Sequence, residues 1–322
     1  MLNIVVSCTY RKRRVGDASK LDPALHVRLA DCSGSIESRA DQWWDRLQSE
    51  KLPTLAAERL YAGEHWTMSL ALAEAARSKG VPTSLSVCSA GYGLVPVDTQ
   101  LKPYSATFSP GPDSVHRPDE DACSPSEANE YWWSLLSKRS VGSGPRTITE
   151  LHEAKRGSRL IVVASERYLR ALREDLLAGG RMDPDRVLVV SSGYPERDEL
   201  ADLLLPADAR LQSRVGGVRQ ALNARLAHLA ISEQKKDEGF DAVRRRFRRR
   251  LARAPELEKF DRTPMTDTNV RRFLKARIRE QIKQGVRPAH TPLLRELRDG
   301  GQACEQKRFR QLFLEVKEQL DA

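Results

Sequence analysis

Four short apolar runs rich in β-branched residues punctuate the first two hundred residues. They are LNIVVSC (2–8), TSLSVCSA (83–90), SRLIVVAS (158–165) and DRVLVVSSG (185–193). Each is shorter than a typical buried helix, and the first, third and fourth are continuously rather than alternately apolar. That is the pattern of a strand covered on both faces. Helical patterns lie between them: SIESRADQWWDRLQSE (35–50), LAAERLYAGEHWTMSLALAEAARSKG (55–80), PSEANEYWWSLLSKR (125–139), ERYLRALREDLLAGG (166–180) and GGVRQALNARLAHLAISE (216–233). Strands alternating with helices predict an α/β fold, with a mixed or largely parallel sheet flanked by helices. ALHVRLAD (24–31) predicts one more strand, and Ser35 or Ser38 is the expected cap of the first helix.

Charge divides the chain. Residues 235–322 hold 24 Lys and Arg against 14 Asp and Glu, so the net charge of +10 resides there and the rest is balanced. A neutral body with a basic tail points to a polyanion, most often nucleic acid. The bland alternative is a solvated helical face. Arg244, Arg245, Arg248, Arg249, Lys307 and Arg308 are the candidate DNA-binding residues. The expected organisation is an α/β domain over 1–233, a basic linker or helix over 234–262, and a small basic all-helical domain over 263–322.

The five cysteines (Cys8, Cys32, Cys88, Cys123, Cys304) are odd in number and form no CxxC pair. The N-terminal order, apolar before basic, is the reverse of a secretory signal. Together these predict reduced thiols in the cytoplasm, and no apolar run is long enough to predict a membrane partner. No metal-ligand spacing, GxGxxG or GxxxxGK[ST] motif occurs, so no cofactor is expected and a metal requirement is left open.

Ligands of open α/β sheets sit at the carboxyl ends of strands. Three such ends carry small polar residues: Ser7-Cys8-Thr9, Cys88-Ser89-Ala90-Gly91-Tyr92-Gly93 and Ser191-Ser192-Gly193-Tyr194. Glycines admit a ligand close to backbone N–H groups, and tyrosines offer flat faces. Ser7, Ser89, Gly91, Tyr92, Gly93 and Tyr104 are therefore candidates for a pocket holding a planar base; ordinary turn chemistry is the alternative. Cys8 and Cys88 are candidate nucleophiles, with Arg11-Lys12-Arg13-Arg14 favouring a Cys8 thiolate; each also reads as a small buried residue. Glu64 or His65 is a candidate for acid–base work, and Asp98 is the best-placed carboxylate for stabilising a sugar cation. Trp43-Trp44 and Trp132-Trp133 read as core.

The stretch SAGYGLVPVDTQLKPYSATF (89–108) resembles the signature of the YaaA family of DNA-binding peroxide-stress proteins and their smaller relatives, through Ser89, Tyr92, Gly93, Pro96, Asp98, Pro103 and Tyr104. VVSCTYRKRR and RLYAGEHW resemble further segments of those smaller relatives. Cys88 stands where an aliphatic residue is usual. The likeness extends thinly over residues 1–230. Joined to a basic helical tail, it is similar to proteins of bacterial 7-deazaguanine DNA-modification clusters. The resemblance implies conversion of 7-cyano-7-deazaguanine in DNA to its 7-amido form, with DNA carrying a 7-deazaguanine base and other proteins of such a cluster as partners. A non-enzymatic DNA-binding stress protein and a base-excising or base-exchanging enzyme are the alternatives.

Overall fold

A computed structural model describes residues 1–13, 26–139, 144–154, 157–178, 180, 182–195, 198–257 and 262–321. Arg14 and the first residues of the expected 24–31 strand lie outside the described residues.

The apolar runs form strands. In chain order these are β1 (Leu2–Ser7), β2 (Thr83–Ser89), β3 (Gly93–Pro96), β4 (Arg159–Val163) and β5 (Val187–Val190). They make one sheet in the order β3-β2-β1-β4-β5. β1 pairs in parallel with β2 and β4, and β4 with β5; β3 folds back antiparallel on β2. β1 is buried throughout, and β2 and β4 are buried beyond their first residues, as apolar strands require when both faces are covered.

Two groups of helices flank the sheet. α1 (Ile36–Ser49) is capped by Ser35, whose hydroxyl accepts from the Ser38 N–H. Within the 55–80 stretch a short helical turn, Ala57–Leu60, ends in extended backbone at Tyr61, and α2 (Glu64–Arg77) begins after Gly63, which adopts φ +101. Leu55–Ala56 is instead a two-residue strand paired with Gln100–Leu101. α3 (Pro125–Ser137) opens with a capping box made by Ser124 and Glu127. The 166–180 pattern yields α4 (Glu166–Ala171) and α5 (Arg173–Ala178), separated at Leu172. α6 (Leu222–Glu233) and α7 (Phe240–Ala252) follow. Among the described residues of the predicted 24–31 strand, Val27–Arg28 pairs with Tyr104–Ser105.

The chain divides into a unit over Met1–Pro255 and a unit over Glu256–Ala322. The expected basic linker or helix over 234–262 is therefore corrected in part: a helix is present, α7, but it does not stand between two domains. α7 belongs to the first unit, because Phe240, Val243 and Phe247 are buried in its core. The second unit holds α8 (Asp267–Lys283), α9 (His290–Asp299) and α10 (Gln306–Asp321) around Val270, Leu274, Leu293, Leu297, Phe309 and Val316. It is not purely helical, since Thr263–Pro264 pairs in parallel with Gln302–Ala303. Among the described residues, no helix is long and apolar enough to cross a membrane.

Candidate active site

The strand order fixes where a ligand belongs. From β1 the chain crosses to β2 on one side, and from β4 it crosses to β5 on the other. The crossovers diverge between the neighbouring strands β1 and β4, and the crevice outside their carboxyl ends is the switch point of the fold. Cys8 follows β1 and Tyr168 follows β4. Their side chains meet there, with Cys8 Sγ 3.0 Å from the Tyr168 hydroxyl. A second hydroxyl, that of Tyr104, donates to Cys8 Sγ at 3.6 Å.

Behind the thiol runs a chain of hydroxyls. Tyr104 Oη lies 2.9 Å from Tyr61 Oη and 2.7 Å from Ser89 Oγ. Burial pushes the Tyr61, Tyr104 and Tyr168 phenols well above their usual pKa, and nearby Cys8 pushes the same way. At neutral pH all three are un-ionised donors. The Lys12 ammonium sits 4.1 Å from the centre of the Tyr104 ring, a cation–π contact. Burial lowers its pKa to about 8, while Cys8 and Asp113 act in the opposite direction. A lysine in that state is an acid–base group close to neutrality.

The glycine-rich turn after β2 is the scaffold of this arrangement. Ser89 Oγ accepts the N–H groups of Gly91 (3.1 Å) and Tyr92 (3.0 Å). Trp43 and Trp132 donate their indole N–H groups to the carbonyls of Gly91 and Ala90, each at 2.8 Å. Gly91 has no room for a side chain: a Cβ there would lie 2.5 Å from the Tyr104 ring. Gly93 adopts φ +74, the left-handed region glycine tolerates. Tyr92 Oη donates to the Lys102 carbonyl and accepts the Lys102 N–H, which ties the far end of the hairpin to the turn.

The structure therefore brings Ser7, Cys8, Cys88, Ser89, Gly91, Tyr92, Gly93 and Tyr104 together, but it corrects their roles. Tyr92 and Tyr104 are not stacking faces for a base. Both rings are buried and pack edge-on at 5.2 Å, and Lys12 covers Tyr104. Cys88 is only 1% exposed, and burial pushes its thiol pKa well up, so it stays un-ionised in the core. Ser7 faces His65, whose Nε2 is 3.3 Å from the Ser7 carbonyl. Burial lowers the His65 pKa and favours the neutral ring.

Glu64 is turned elsewhere. Its carboxylate accepts from Arg225 at 2.7 and 2.9 Å and from the Val218 N–H at 3.1 Å, and these bonds hold its pKa down. It fastens α2 to α6 and is not free for acid–base work. Asp98 is exposed beyond Pro96, which pairs with Ser86, well back from the carboxyl end of β2. It is not at the crevice.

The arginine-rich run also divides. Arg244 is 4% exposed, and its guanidinium donates to the carbonyls of Pro184, Val187, Leu203 and Leu204. It holds α7 to the sheet edge and is not a phosphate ligand. Arg245, Arg248 and Arg249 are exposed. In the second unit Lys307 is exposed, whereas Arg308 is engaged with Asp267 and the Met265 carbonyl.

Sequence reasoning missed Tyr61 and Tyr168 as site residues, and it read Lys12 only as part of a basic run. Tyr168 was within reach of the strand-end rule, since it follows the run SRLIVVAS by three positions. Its ring packs on Phe108 at 4.8 Å. Phe108 in turn lines a cleft of about 880 Å³ with Pro110, Pro112, Pro118 and Asn129. Asn129 donates to the Phe108 carbonyl, and its buried Oδ1 has no hydrogen-bond partner among the described residues. No protein-family model, curated protein or solved structure matches the chain.

Proposed function

We propose that the protein is a DNA-modification enzyme that hydrates the nitrile of 7-cyano-7-deazaguanine in DNA to the carboxamide, with Cys8 as nucleophile. The observation that carries this reading is a strand-end thiol at the switch point of the sheet, bonded to two un-ionised phenols beside a lysine with a pKa of about 8. The resemblance of residues 89–108 to the YaaA family, and of the whole to 7-deazaguanine modification proteins, supplies the substrate class.

The chemistry balances without an external redox partner. The Cys8 sulfur adds to the nitrile carbon as one C≡N π bond breaks, and the nitrogen takes a proton to give a thioimidate. The Lys12 ammonium and the Tyr168 hydroxyl are the donors for that proton. Water then adds to the thioimidate carbon. The C–S bond breaks, the thiol regains its proton, and the carboxamide departs with a net gain of one water. Expulsion of thiol rather than ammonia keeps the product an amide and not an acid.

A base must leave the duplex, or arrive single-stranded, to reach such a site. The proline- and Phe108-walled cleft next to Tyr168 suits a flat heterocycle. The unpartnered Asn129 Oδ1 suits one of the N–H donors on a guanine-type edge. The test is nucleoside mass spectrometry of DNA carrying 7-cyano-7-deazaguanine after incubation with the protein. Gain of one water on the modified nucleoside, lost in Cys8→Ala, is the expected result. An unchanged nucleoside under all conditions would refute the reading.

A further inference from the structure

The strand end after β5 carries a second built feature, separate from the thiol. A cleft of about 720 Å³ opens between Ser191, at the carboxyl end of β5, and α7. Arg245 and Arg248 line it and form no ion pair among the described residues. Its acidic wall does not cancel them, because Asp241 is bonded to Arg244 at 3.0 Å and Asp202 also acts on Arg244. Ser191 is 5% exposed, and its hydroxyl has no hydrogen-bond partner among the described residues. A buried hydroxyl without a partner carries a desolvation penalty that a ligand can relieve. One helical turn further on, Arg253 at the C-cap of α7 lines a smaller cleft of about 360 Å³ with Arg214; Arg250, which also lines it, is already paired with Glu233. Cationic groups thus recur along one helix, at two adjacent concavities.

We infer that these clefts are a track for the phosphodiester backbone of a nucleic-acid strand, with Arg245 and Arg248 on the phosphates and Ser191 donating to a phosphate oxygen. Arginine suits this because its planar fork binds phosphate oxygens in pairs. The track lies within the first unit and not in the basic tail that the sequence singles out. The inference rests on the reading that the substrate is DNA, and it assigns where the backbone is held.

The test is fluorescence anisotropy of the full chain with a labelled single-stranded oligonucleotide over a series of salt concentrations. The Arg245→Glu/Arg248→Glu variant is expected to bind at least about tenfold more weakly, with a salt slope smaller by about two. Both arginines are exposed, so thermal unfolding should be unchanged. Ser191→Ala is the second variant. It should bind several-fold more weakly while keeping or gaining thermal stability, since it removes an unpartnered hydroxyl. Wild-type affinity and salt slope in the charge-reversed variant would overturn the track. Displacement of the oligonucleotide by deoxyguanosine monophosphate at equal phosphate concentration would overturn a strand in favour of a single-nucleotide site. Intact binding without amide formation would refute the chemistry proposed at Cys8 and leave the track standing.

Discussion

Cys8 and Cys88 are neighbours across two parallel strands, joined by a 2.9 Å hydrogen bond from the Cys8 N–H to the Cys88 carbonyl. Their side chains live in different chemistry. Cys8 is 8% exposed and meets the hydroxyls of Tyr168 and Tyr104. Cys88 is sealed in the core, where burial and Asp175 both oppose ionisation. One residue type, at two adjoining strand ends, meets two hydroxyls at the switch point in one case and is core packing in the other. Position at a strand end is therefore insufficient; what decides is which strands diverge there and what hydroxyls the next loops deliver.

The sharpest way to break this comparison is to remove each thiol in turn. Cys8→Ala should lower amide formation by about 10³-fold or more, as expected for loss of a nucleophile. Cys88→Ala should keep activity within a few-fold and instead lower unfolding stability by about 1 kcal/mol. Equal loss in both variants would erase the distinction. Tyr168→Phe comes next. Losing its hydroxyl from the sulfur should cost about 10-fold in kcat with folding intact, the scale of one lost hydrogen bond. Alkylation followed by peptide mapping offers a reading without turnover. Iodoacetamide should modify Cys8 before Cys88, and the reverse order would count against the assignment.

The smallest expected effect is on pH dependence. Lys12 has a folded pKa of about 8, below its value in the unfolded chain. Between about pH 8 and the ordinary lysine range the unfolded chain holds a proton that the folded one lacks. Stability contributed by this group therefore rises with pH across that window and is least below pH 8. Thermal unfolding between pH 7 and 10 should show this upward component, and Lys12→Met should remove it. In the same window activity should fall as the ammonium is lost, if it supplies the proton to the nitrile nitrogen. A pH–rate profile unchanged by Lys12→Met would assign that proton to Tyr168.

The fold was largely legible because continuous Val and Ile runs admit few alternatives. The start of α2 was legible only to within a few residues, because the separate turn Ala57–Leu60, which ends in extended backbone at Tyr61, shares its helical pattern. The site was half legible. The strand-end rule found Cys8 and Ser89, but the partners of Cys8 come from three separate segments, and only tertiary packing assembles them. Tyr92 and Tyr104 look like stacking faces in a linear reading. Only burial shows that they stiffen the turn.

The run RRRFRRR, residues 244–250, invites treatment as interchangeable positive charge, and the structure says it is not. At Arg249, which is exposed and lines neither cleft, exchange for lysine should be nearly silent, because a mobile ammonium serves an exposed surface as well; at Arg245 and Arg248 lysine keeps the charge but loses the paired fork. Arg244 offers its donors to four carbonyls drawn from two segments. A lysine has neither the planar fork nor enough fixed donors to replace it. Natural drift among related chains should therefore run freely between arginine and lysine at Arg249 and stop at Arg244, and a chain ended before α7 would leave those carbonyls bare.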